Sequence, residues 1–179
     1  MREAFASGRE ALLRAGAQVV DLDLPPEFAE LPKAHNTIVR REGGAAFRHL
    51  YVTRKEKLHE DFRSHVENRD GFTDDDLRNA YNLAARCRQT FDAIASEFDG
   101  ILTPSAAGEA PLGLHPGSHV MNQIWSLLHV PCINMPKWRS AAGLPLGLTL
   151  VGPRFADRRL LAVARAIDAA LDRDGVRIS

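Results

Sequence analysis

The sequence has few thiols, no excess charge of either sign and no long apolar run, and each absence removes a class of protein. Its two cysteines, Cys87 and Cys132, are too few for a disulfide framework and fit a reducing compartment. The 23 basic residues balance 23 acidic ones, leaving no basic surplus to hold nucleic-acid phosphates. No stretch approaches the ~20 consecutive apolar residues of a membrane span, and the N-terminus carries no signal-peptide pattern. Lysine is scarce, with only Lys33, Lys55, Lys57 and Lys137 against 19 scattered arginines that read as a solvated surface. What is left is a 179-residue chain, 45% hydrophobic and 26% charged, within the range of ordinary globular proteins. Composition predicts a cytoplasmic protein that binds neither nucleic acid nor membrane.

Cofactor and metal motifs are missing as well. No GxGxxG follows a strand, and neither GxxxxGK[ST] nor the GxSxG elbow occurs, so no nucleotide cradle or α/β-hydrolase nucleophile is expected. His115 and His119 stand four apart, but Pro116 and Gly117 between them exclude the helical HExxH geometry. Glu56 and His59 form a single ExxH, where a dinuclear carboxylate site needs two. His129 precedes Cys132 by three residues, yet Cys132 opens an apolar strand pattern and Cys87 sits on a helical stripe, where a cysteine acts as a small hydrophobe. We therefore expect no metal, no cofactor and no catalytic thiol.

What is present reads as α/β. Residues 2–15 have a helical pattern with Phe5, Leu12 and Leu13 near one face and Gly16 as its stop. Residues 18–24 alternate Val20, Leu22 and Leu24 against Asp21 and Asp23, which predicts a strand ended by Pro25-Pro26. The charge-rich span 27–68 reads as helical with a break at Gly43-Gly44. Thr73 then caps a long helix whose apolar positions are Leu77, Tyr81, Ala84, Cys87, Phe91, Ile94 and Phe98. Asp99-Gly-Ile-Leu-Thr-Pro-Ser105 predicts a short buried strand delivering a polar loop, followed by an irregular Gly/Pro-rich stretch over 106–118. A short helix at 119–129 carries Trp125. Strands at 131–136 and 144–152 follow, then a helix capped by Asp157 with Leu160, Val163, Ala164, Ile167 and Leu171 inward. No linker splits the chain, so a single domain over 1–179 is expected. Thr103 and Ser105, at the carboxyl end of a strand, stand where open sheets place ligands; satisfying turn backbone groups is the other reading.

The order of these pieces resembles the amidase signature family. Phe98-Asp-Gly-Ile-Leu-Thr-Pro-Ser105 and Ala110-Pro111 come first. They are followed by Asn122 through Trp125-Ser-Leu-Leu, Val130-Pro-Cys-Ile-Asn-Met-Pro136, Gly143-Leu-Pro-Leu-Gly-Leu-Thr-Leu-Val-Gly152, and Asp157 with Leu160-Leu161. The Ala15-Gly16-Ala17 to Leu24-Pro25 unit fits the same pattern. The resemblance implies a partial α/β/α sandwich with a mixed sheet, and hydrolysis of carbon–nitrogen amide bonds by a serine, a second serine in a cis peptide and a lysine. It implies that this chain matches about two-fifths of such an enzyme, the C-terminal part. The family's GGSSGG-like segment is not matched by any serine here, nor its lysine by any of the four lysines, so no catalytic residue carries over.

What the resemblance carries over is one wall of a substrate pocket: Thr103, Pro104, Ser105, Asn122 and Trp125. Trp125 serves either to shape that pocket or to pack between helix and sheet. The sequence departs from the family in three places. His129 stands for a usual Gly, Lys137-Trp138 for a Gly-containing turn, and Thr149 for a frequent Gln. The expected role is the scaffold and pocket wall of an amidohydrolase that is inactive alone, with a small-molecule amide as substrate. The expected partner is a second copy or a chain bearing the catalytic half. A degenerate binding or assembly module is the alternative.

Overall fold

The computed structural model describes residues 1–173, so the last six residues of the expected domain lie outside it. The chain sorts into two compact units: residues 1–24 with 88–179, and residues 25–87.

The first unit is built on a three-stranded sheet. Strand β1 (Ile101–Pro104), β2 (Cys132–Arg139) and β3 (Pro145–Val151) lie in the order β1-β3-β2, and both pairings are antiparallel. The α/β class is as expected; the mixed character of the family's sheet is not found in these three strands. The leucines of β3 alternate onto one face. Leu146, Leu148 and Leu150 share it with Leu102, Ile133, Met135 and Trp138. Helix α1 (Arg2–Arg14) and helix α7 (Asp157–Arg173) bury that face, which makes two clusters: Ala4, Ala11, Trp138, Leu146, Leu148 and Leu171, then Met135, Leu150, Leu160 and Ala164. Helix α1 ends as Gly16 requires. Gly16 adopts φ +87°, its N–H donates to Leu13 O, and Ala17 N–H donates to Leu12 O, the two bonds of a Schellman stop.

Three expectations are corrected here. Residues 18–24 form no regular element and join no strand among the described residues, and Val20 is exposed, because alternation makes a face without supplying a neighbour to bond. Lys137 and Trp138 make no turn. They continue β2 across an irregularity between Met135 and Trp138, and that bulge sends the Trp138 indole into the core at 1% exposure. In α1 the buried positions are Ala4, Gly8, Ala11 and Leu12, while Leu13 is exposed.

The second unit is helical: a 3₁₀ turn (Pro26–Glu30), α2 (Leu31–Ala46), α3 (Arg48–Arg54), α4 (Glu60–Val66) and the first half of α5 (Asp74–Ser96). Gly43-Gly44 does not break α2. A Cβ on Gly43 would stand 2.7 Å from His65 Nδ1, and one on Gly44 2.6 Å from His65 O, so the pair lets α4 pack against the bare α2 backbone. Thr73 caps α5 reciprocally with Asp76: Asp76 N–H donates to Thr73 Oγ1 at 3.1 Å, and Thr73 N–H donates to Asp76 Oδ2 at 2.8 Å. The buried stripe of α5 is Ala80, Ala84, Cys87, Phe91 and Ala95; Tyr81 is exposed and donates its hydroxyl to Glu42. No described helix is long and apolar enough to cross a membrane.

Candidate functional site

Register brings three polar side chains into a row on the sheet face opposite the leucines. Thr103 of β1 lies beside Thr149 of β3, which lies beside Asn134 of β2. Ser105, one residue past β1, closes onto that row. Its N–H donates to Gly147 O at 3.1 Å. Its hydroxyl lies 2.5 Å from Asn134 Oδ1 and 2.9 Å from Thr149 Oγ1. Asn122, at the N-terminal end of α6 (Gln123–Leu128), does not cap that helix. Its Nδ2 donates to Ser105 O at 2.9 Å and ties the loop before α6 to the end of β1.

Of the five residues expected at a pocket wall, Thr103, Pro104, Ser105 and Asn122 gather around this strand end. Trp125 sits on α6, buried against Phe91 with ring centroids 5.5 Å apart, so it is core. It also lines a cavity of about 320 Å³ with Asn122, Ser126, His129, Val130 and Cys132, at the lower end of the size range of small-molecule pockets. Its indole Nε1 is buried without a partner among the described residues. Sequence reading missed Asn134 as a site residue and met Thr149 only as a departure from the family. The alternation of β2 and β3 could have placed them on one face, but only the register puts them side by side.

The chemistry of this cluster is neutral. Ser105 Oγ touches a hydroxyl and a carboxamide, and neither is a base, so the contacts hold the hydroxyl without activating it. Nearby, burial pushes the Cys132 thiol up to about 11 although part of the residue is accessible, which keeps it protonated at neutral pH. Burial raises Cys87 as well. His129 ends α6 in the left-handed region at φ +57°, the conformation a glycine would take there. Arg88 Nε donates to Leu127 O at 2.9 Å, and its Nη2 lies 3.2 Å from His129 Nε2; a guanidinium only donates, so that nitrogen accepts. His115 Nδ1 accepts the Gly117 N–H at 3.0 Å within its own loop. Among the described residues no three His, Cys, Asp or Glu side chains converge on a common point.

The fold is α/β, with this polar cluster at a strand end, and comparison with known proteins gives its family. The Amidase family model matches residues 1–161, and the chain belongs to that family. It is 29% identical over 202 residues to a Glutamyl-tRNA(Gln) amidotransferase subunit of Cereibacter sphaeroides (strain ATCC 17025 / ATH 2.4.3), covering 93% of this chain and 41% of that protein. A crystal structure of an amidase superposes with a TM-score of 0.81 at 24% identity, over 94% of this chain and 41% of the other. Fatty acid amide hydrolase superposes with a TM-score of 0.75 at 20% identity, over 95% and 36%. The chain therefore spans about two-fifths of the length of the relatives it matches, and it corresponds to their C-terminal part.

Proposed function

We propose that this chain supplies the sheet scaffold and one wall of the substrate pocket of a serine-dependent amidohydrolase acting on a small-molecule amide. The reading gives Thr103, Pro104, Ser105, Asn122 and Trp125 to that wall, and the nucleophile, cis-peptide serine and lysine to the N-terminal part of an amidase-signature chain. The observation that carries it is Ser105, held at the end of β1 by Asn122, Asn134 and Thr149, with Asn122 also lining a cavity of about 320 Å³. Strands β1 and β2 are both edges of the described sheet, and each offers backbone groups to a further strand. That supports a partner bearing the catalytic half, with a second copy of this chain as the competing occupant. Two free thiols fit a cytoplasmic setting.

The test is to assay the purified chain on simple carboxamides, alone and mixed with the N-terminal part of a family member, while light scattering follows assembly. The expected result is no hydrolysis alone, and hydrolysis from a one-to-one complex. Hydrolysis by the chain alone that persists in Ser105→Ala overturns the reading. A stable homodimer that ignores the added part favours a non-catalytic assembly module.

A further inference from the structure

The geometry points to Asn134 as the residue that recognises the carbonyl oxygen of a small carboxamide, with Ser105 and Thr149 as the positioning residues that aim it. The inference rests on the pocket reading above and names its polar contact.

The direction of the hydrogen-bond chain settles which end of the Asn134 carboxamide faces outward. Thr149 is buried at 4% exposure, and its hydroxyl makes its one hydrogen bond, among the described residues, to Ser105 Oγ. Were Ser105 to donate to Thr149, the Thr149 proton would be left buried without an acceptor, which costs more than any single bond gains. Thr149 therefore donates to Ser105, and Ser105 donates to Asn134. The 2.5 Å separation suits an O–H···O bond and is short for N–H···O. The Asn134 atom on Ser105 is thus Oδ1, which leaves the Nδ2 group, on an exposed residue, without a partner among the described residues.

The backbone is shaped for this arrangement. A Cβ on Gly147 would stand 2.4 Å from Asn134 Oδ1 and 3.0 Å from Met135 O, so only a glycine in β3 lets the carboxamide lie across the strand. The same Gly147 accepts the Ser105 N–H through its carbonyl. Cys132, two residues before Asn134 on the same face of β2, lines the cavity that Trp125 also lines, so the Asn134 donors stand roughly 7 Å along the strand from the cavity wall. In this arrangement the apolar group of the carboxamide occupies the cavity, which Asn134 itself does not line, and the carbonyl oxygen accepts from Nδ2.

The experiment titrates the ¹⁵N-labelled chain with benzamide and follows side-chain amide and indole resonances. Saturable shifts of the Asn134 Nδ2 protons together with the Trp125 Nε1 proton are expected. Thr149→Val should weaken benzamide about tenfold by freeing Asn134 to turn over, and Thr149→Ser should restore it. Asn134→Asp keeps the bond from Ser105 but offers no donor, so preference should pass from benzamide to the cationic benzamidine, a reversal that a merely structural residue would not produce. Shifts at Asn122 and Trp125 with Asn134 unmoved, or an unchanged preference in Asn134→Asp, overturn the assignment and leave the pocket reading standing. No saturable shift anywhere overturns both.

Discussion

Gly8 of α1 and Trp138 of β2 meet without a side chain between them: a Cβ on Gly8 would stand 3.1 Å from the indole Cζ2 and 2.8 Å from Leu148 Cδ1. Trp138 and Leu148 are each 1% exposed, so neither can swing away. Gly8 therefore sets how closely α1 approaches the sheet. A glycine in a helix costs roughly 1 kcal/mol in propensity against alanine, but overpacking a rigid core costs about 1–3 kcal/mol. Gly8→Val is expected to destabilise by about 2 kcal/mol or more in urea unfolding. A variant as stable as the parent would show that α1 can lift off the sheet freely.

The α2–α4 contact makes an acid-sensitive element of the helical unit. His65 Nδ1 is buried without a partner among the described residues, against the bare backbone of Gly43. Burial pushes its imidazole below the ordinary 6.5, and the Arg40 charge adds to this, while Asp70 and Asp61 oppose it. A histidine depressed in the folded state is stabilising in its neutral form. Its contribution is complete above the unfolded value near 6.5 and is lost as pH falls towards the folded value. Urea midpoints should drop between about pH 7.5 and pH 5.5, and less so in His65→Gln. An equal drop in both would show that His65 is not the source of the effect.

How much of this could be read from the chain depends on whether the information was local. Helix α1, its Gly16 stop, the Thr73 cap and the strand carrying Thr103-Pro-Ser105 follow from short-range rules and are found where expected. Long-range pairings were not legible. Residues 18–24 alternate as a strand does, yet nothing among the described residues pairs with them. Gly43-Gly44 looks like a break but is a close approach to His65, a residue more than twenty positions away. At the site, Ser105 and Asn122 were visible through their sequence context. Asn134 and Thr149 become neighbours only through the register of β2 on β3.

His129 offers a test of backbone strain that separates it from side-chain contacts. It holds φ +57° at the end of α6, where a β-carbon costs about 1–2 kcal/mol relative to glycine. Replacing it removes the contact with Arg88 whatever residue follows, so the comparison is between two variants. His129→Gly should be more stable than His129→Ala by about 1 kcal/mol in urea unfolding. Equal stabilities would mean that α6 can end in another conformation at no cost.

Asp92 is held three ways by Arg154, through the backbone N–H at 3.0 Å, Nε at 2.7 Å and Nη2 at 2.7 Å. The clamp joins α5 to the residue before Phe155, which takes φ +64° and is 93% exposed. Burial alone would raise the Asp92 carboxyl; the Arg154 hydrogen bonds and charge outweigh it and hold the group below its ordinary 3.8. A carboxylate lowered in this way stabilises fully above its unfolded value and ceases to do so as pH falls through the folded one. Both side chains are partly exposed, so the pair is worth less than a buried one, and Asp92→Asn should cost about 1–2 kcal/mol at about pH 7. In acid below the folded value the carboxyl of the parent becomes neutral like the amide, and the two stabilities should converge. Urea unfolding at the two pH values decides the matter: a gap that keeps its full size in acid would assign the loss to packing around Arg154 and not to charge.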